Sequence, residues 1–239
     1  MKHSNILLFF AFAFVLSSCG KEPEQATRFS VLGDSFSAYK GYVDPESNET
    51  FPYDQLDFTG PEQMWWAQVA DSLAWVMDKN NSYSGSLISK FNTGDYYTWY
   101  SFIHRMDNLG NPDVIFLFGA TNDIYRRVPL GDFVYDGWTE EQLCTFRPAM
   151  AYLIDNLKRL YPRAEIYVMV DMELCINDST IDDVIRQAYI DSMHRIANRY
   201  HVNSIDLYEI KKNKWHPNIE GQQHIARQVI EALMADFNV

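Results

Sequence analysis

A hydroxyl, an imidazole, a side-chain amide and a glycine backbone are the parts that acyl transfer to water needs: a nucleophile, a base and donors for the oxyanion. The 239-residue chain carries such groups in four short stretches: Gly33-Asp34-Ser35, Ser84-Gly85-Ser86, Gly119-Ala120-Thr121-Asn122-Asp123 and His216-Pro217-Asn218. Taken singly, each has a bland explanation. Ser35 suits a helix N-cap, Asn122 a turn or cap, Gly85 a positive φ, and His216-Pro217 a helix entry with Pro in the first turn. What gives them weight together is that each comes after a segment that reads as a strand.

Phe29–Leu32, Val114–Phe118 and Ile166–Val170 are near-continuous apolar runs, the pattern of strands buried on both faces. Val202–Leu207 is a weaker fourth and Trp75–Asn80 a marginal fifth. Helical periodicity lies between them. Trp65, Val69, Leu73 and Val76 share one face, and so do Phe146, Met150, Leu153, Leu157 and Leu160. Ile185, Ala188, Tyr189, Ser192 and Ile196 form a third face, and Ile225, Val229, Ala232 and Leu233 a fourth. Such alternation predicts an α/β fold, a three-layer α/β/α sandwich on a central parallel sheet. In an open parallel sheet ligands bind at the carboxyl ends of the strands, which puts all four stretches on one rim. Two irregular stretches, Gly41–Pro61 and Arg126–Trp138, are long enough to expect a functional or a disordered loop.

These motifs, in this order along nearly the whole chain, resemble the SGNH (GDSL-type) hydrolases; Phe36 stands where that name has Leu. The resemblance implies a flavodoxin-like fold and ester hydrolysis without a metal or other cofactor. It makes Ser35 the nucleophile and His216 the base. Ser35 N–H, Gly85 N–H and the Asn122 side chain become the oxyanion hole, with Asp34 and Asp123 bracing the loops. One position departs from the family pattern. Three residues before the His, where the family has its acid, stands Asn213. An amide brings no charge to stabilise the imidazolium. Three readings follow: a Ser–His dyad; a substitute acid such as Asp206, Glu209 or Glu220; or weak catalysis in a protein that mainly binds. Two function classes therefore stand. One is a serine esterase acting on short-chain (O-acetyl) carbohydrate esters. The other is a lipid-anchored carbohydrate- or ligand-binding protein on a hydrolase fold.

The remaining features bound the partners. Lys+Arg number 20 against Asp+Glu 32, net −12 with no local basic cluster, which excludes nucleic-acid binding. The acidic Gly41–Pro61 stretch disfavours anionic substrates, although Arg126 and Arg127 offer either a local carboxylate site or a solvated pair. Tyr96, Tyr97, Trp99 and Tyr100 suit core packing, or in one or two cases a platform for sugar rings. The histidines are too scattered for a metal site. Residues 1–18 read as a signal peptide, with an 11-residue apolar run Ile6–Leu16 that is too short to span a bilayer. The run leads into Leu16-Ser17-Ser18-Cys19, which resembles a bacterial lipobox, so Cys19 is the expected lipid attachment. Residues 19–27 then form a tether and 28–239 the hydrolase domain, exported and held at a membrane by lipid alone. For Cys144 and Cys175, one disulfide and two free thiols are both open.

Overall fold

The computed structural model describes residues 26–41, 57–91 and 101–237. The leader, Cys19, most of the acidic loop and the aromatic cluster at 96–100 lie outside the described residues. Five parallel strands form the sheet: β1 (Arg28–Gly33), β2 (Val76–Ser82), β3 (Val114–Phe118), β4 (Glu165–Asp171) and β5 (Asn203–Leu207), in the order β2-β1-β3-β4-β5. Helices α1 (Trp65–Leu73), α2 (Phe102–Arg105), α3 (Thr121–Tyr125), α4 (Phe146–Leu160), α5 (Asp183–Tyr200) and α6 (Ile219–Phe237) alternate with them. Beyond β5 a two-stranded antiparallel hairpin, β6 (Lys212–Asn213) and β7 (His216–Pro217), leads into α6.

The apolar runs make this a sandwich because side chains alternate across a strand. In β3, Ile115 and Leu117 face a core shared with Phe146, Met150 and Leu153 of α4 and Tyr189, Met193 and Ile196 of α5. Val114, Phe116 and Phe118 face the opposite core, with Trp65 and Val69 of α1 and Ile225, Val229 and Leu233 of α6. Trp65 meets Phe116 edge-on, with ring centroids 5.5 Å apart and planes at 90°. The doubly wound order reverses direction between β1 and β3, and that crevice is where such folds bind ligands.

Several expectations need correction. Ile185 is not on the core face of α5, since it is exposed, and Arg186 turns inward instead. There the Arg186 Nε donates to Leu174 O at 2.6 Å, so the first turn of α5 closes over the loop after β4. Val76 begins β2 rather than ending α1, whose chain turns out through Ala74 in the left-handed region. The Arg126–Trp138 stretch is an ordered strap packed across α4 and α5. Phe133 is clasped by Arg147 and Arg195, whose guanidinium carbons lie 4.4 and 3.9 Å from its ring centroid. Tyr200 Oη donates to Tyr135 O at 3.1 Å. Arg127 is engaged with Thr180 at 2.5 Å and Asp178 at 3.8 Å, which makes it part of this scaffold. Cys144 and Cys175 are free thiols, so no disulfide joins them. No described helix is long and apolar enough to cross a membrane.

Candidate active site

The rim at the β1/β3 crevice is built from the strand exits. After Gly33 the chain turns at once. Asp34 O accepts Ser37 N and Ala38 N, both at 3.1 Å, while its Oδ1 accepts Phe36 N at 2.9 Å. Ser35 therefore sits on a tight turn and caps no helix. A Cβ on Gly33 would lie 2.7 Å from Ser82 Oγ, so only glycine lets the β1 exit lie this close to β2. The β2 exit is zipped to it, with Tyr83 N donating to Gly33 O at 3.0 Å. Gly85, at φ 78°, completes the turn in the left-handed region.

The β3 exit brings the amide. Ala120 holds φ 81°, a strained value for a residue with a Cβ, and α3 starts immediately after it. Asn122 Nδ2 donates to Ser86 O at 3.1 Å and to Asp34 Oδ2 at 3.3 Å. Asp123, fully buried, accepts Ile88 N at 2.8 Å and Ser89 N at 3.1 Å, which ties α3 to the β2 exit loop. The hairpin brings the imidazole from the far end of the chain: His216 Nε2 lies 3.1 Å from Ser35 Oγ. Four stretches spread over 186 positions thus converge on one crevice.

Burial sets the charge states. The His216 imidazole is pushed down to about 4 by loss of solvation. Asp34 is pushed up to about 7, by burial first, then against the Phe36 N–H that lowers it and with the Asp123 charge that raises it. Asp123 rises to about 6 by burial, against the Ile88 and Ser89 N–H groups. Because these two carboxyls titrate higher folded than unfolded, their stabilising effect fades as pH rises through about 6 to 7. His216 acts oppositely below its ordinary value of 6.5: the unfolded chain takes the proton first, so stability falls with pH toward about 4.

Asn213 on β6 is the register partner of His216 on β7, and it is exposed. Two of the three candidate substitutes have their carboxylates engaged elsewhere, Asp206 at 2.7 Å from His194 and Glu220 at 3.7 Å from His224, while Glu209 meets His224 Nδ1 at 2.9 Å through its backbone carbonyl. The hairpin itself is anchored by a buried ion pair, Lys212 Nζ to Asp171 Oδ2 at 2.5 Å, which joins it to the end of β4.

A pocket of about 160 Å³ opens over Ser35 and His216. Five of its lining residues are not among the candidates from sequence: Phe36, Thr121, Tyr125, Cys175 and Trp215. Trp215 and Tyr125 stay 39% and 50% exposed, with ring centroids 5.7 Å apart, forming an aromatic wall at the opening. Their signal was adjacency: Trp215 precedes the His, Thr121 and Tyr125 flank Asn122, and Cys175 follows the one strand whose exit carries no motif. Among the described residues no group of three His, Cys, Asp or Glu could hold a metal ion.

Residues 27–233 match the GDSL-like Lipase/Acylhydrolase family, nearly the whole described chain. A Bacteroides ovatus protein described as a GDSL-like lipase shares 39% identity at a TM-score of 0.78, over 89% of this chain and 100% of that one. A second, from Bacteroides uniformis, shares 37% identity at 0.77, over 88% and 96%. A family two carbohydrate esterase from Clostridium thermocellum, solved with cellohexaose, shares 16% identity at 0.59, over 91% and 67%, a likeness of fold alone. No curated protein matches the sequence at a significant level. The chain belongs to the GDSL-like lipase/acylhydrolase family and is an ester hydrolase.

Proposed function

We propose that the protein is a serine esterase that removes short acyl groups, acetyl above all, from carbohydrate esters. The observation that carries this reading is the 3.1 Å contact between His216 Nε2 and Ser35 Oγ on the floor of a pocket of about 160 Å³. In the proposed reaction His216 takes the Ser35 proton as Oγ attacks the ester carbonyl. The acyl–serine bond forms and the imidazolium returns the proton to the leaving alcohol. Water, activated by the same imidazole, then releases the acid. The developing oxyanion is held by the N–H groups of Ser35 and Gly85 and by Asn122 Nδ2. Both Asn122 amide hydrogens are engaged at rest, so the longer contact, 3.3 Å to Asp34 Oδ2, is the one exchanged for the oxyanion. Position 213 supplies no charge, so the machinery is a Ser–His dyad.

Three further points support a carbohydrate acetyl ester. The pocket is small, which suits a short acyl group. The Trp215–Tyr125 wall offers apolar faces with polar edges at the pocket opening, as sugar rings require. The fold is shared with a Clostridium thermocellum carbohydrate esterase that was solved with a gluco-oligosaccharide. Export through residues 1–18 and lipid attachment at Cys19 belong to the same proposal and put the enzyme where polymeric carbohydrate is met. The test is acetate release from acetylated xylo-oligosaccharides, together with p-nitrophenyl acetate against p-nitrophenyl decanoate. Acetate release and preference for the acetyl ester are expected. Preference for decanoate contradicts the acyl assignment, and saturable sugar binding without hydrolysis favours the binding-protein reading.

A further inference from the structure

Beneath the rim lies a buried cation that the reaction does not touch. Arg105, the last residue of α2, is 6% exposed. Its Nη1 donates to Asn81 O and, at 3.2 Å, to Asn81 Oδ1. Its Nη2 donates to Gly33 O at 3.2 Å and to Ser86 Oγ at 3.0 Å. The attachment is two-way, since Asn81 Nδ2 donates to Arg105 O at 3.0 Å. Phe102 lies under the guanidinium, with its ring centroid 5.1 Å from the guanidinium carbon.

These partners are not arbitrary. Gly33 is two residues before Ser35. Asn81 is near the end of β2, and Ser86 follows Gly85 and lends its carbonyl to Asn122 Nδ2. One planar fork therefore spans the exits of β1 and β2 and the turn on which Asn122 rests. Strand exits aim carbonyl oxygens at the same space, and only a group with several rigid donors satisfies them together. The charge has a counterpart as well: Asp34 acts to hold the Arg105 guanidinium up against the lowering by burial. A buried charge is costly even with a carboxyl nearby, and apolar packing would fill the same volume with less penalty, so its retention argues for geometry.

We propose that Arg105 is a positioning residue whose guanidinium fixes the spacing of the Ser35, Gly85 and Asn122 donors. The inference rests on the reading of those three groups as the oxyanion hole. A donor displaced by about an ångström loses the oxyanion while substrate still binds, so kcat carries the effect and KM does not.

The test uses the full chain and p-nitrophenyl acetate, with Ser35→Ala measured first. If the Ser35→Ala rate equals the wild-type rate, the serine reading fails and this inference with it. With Ser35 established, Arg105→Gln is expected to lower kcat by about 10²-fold with KM within about threefold. Arg105→Lys, which keeps the charge but loses the fork, is expected to recover part of that loss. Ser86→Ala deletes one contact with little threat to folding, and is expected to lower kcat by about tenfold. A folded Arg105→Gln with wild-type kcat overturns the proposal. Should Arg105→Gln not fold, wild-type kcat in both Arg105→Lys and Ser86→Ala overturns it equally.

Discussion

Replacing His216 by Ala is expected to lower kcat on p-nitrophenyl acetate by about 10⁴-fold or more, as loss of the base does in serine hydrolases. The effect is large because Ser35 Oγ is inert as a neutral hydroxyl and its contact with an imidazole is the 3.1 Å one to His216. KM should change little, since the ring sits beside the reacting atoms and not along the length of the substrate. The pH profile gives an independent sign. Burial holds the imidazole near 4, so it stays a neutral base through mildly acid solution. The acid limb of kcat/KM is therefore expected near pH 4 to 5, below the ordinary histidine value of 6.5. The same shift weakens the base. Asn213→Asp introduces a carboxylate at the register partner of His216, so it should move the acid limb upward and raise kcat. An acid limb at 6.5 in the wild type, or an unchanged limb in Asn213→Asp, contradicts this account of the base.

Asn122→Ala is the second large effect. Loss of one oxyanion donor typically costs about 10²–10³ in kcat, and the same range is expected here. Asn122 is placed for that role by both of its contacts, to Ser86 O and to Asp34 Oδ2. The variant should stay folded. Asn122 is half-exposed at the pocket, and α3 keeps its tie to the β2 exit through Asp123. A KM rise at constant kcat would instead make Asn122 a substrate-binding group.

What the sequence makes legible follows from which forces are local. β3 is readable as Val-Ile-Phe-Leu-Phe because a strand buried on both faces must be apolar throughout. β2 is marginal because it is an edge strand, as β5 is. The last residues of β2, Asn80, Asn81 and Ser82, are buried polar groups that donate to Ser37 O, to Arg105 O at the end of α2 and to Asn80 Oδ1 respectively, which erases the apolar run. Strands of two residues, as in β6 and β7, are too short to have a period, so the hairpin that presents His216 is visible only in three dimensions. Ile185 misleads for another reason. The first turn of α5 overhangs the sheet, where Arg186 bonds to the loop after β4 and takes the inward place.

The site divides along the same line. Ser35, Gly85, Asn122 and His216 are legible because each belongs to a short motif after a strand. Arg105 is not, because its importance lies in three partners at positions 33, 81 and 86, brought together only by the sheet. Trp215 and Tyr125 line one pocket although 90 positions separate them. The Arg126–Trp138 strap shows the converse: a long irregular stretch, rich in aromatics and charge, whose groups are spent on α4 and α5.

The central claim is that Ser35 is the nucleophile of an esterase. It is tested most directly by hydrolysis of p-nitrophenyl acetate by the full chain and by its Ser35→Ala variant at matched concentration. Turnover by the wild type that vanishes in Ser35→Ala is the predicted result. Equal rates in the two proteins would contradict it.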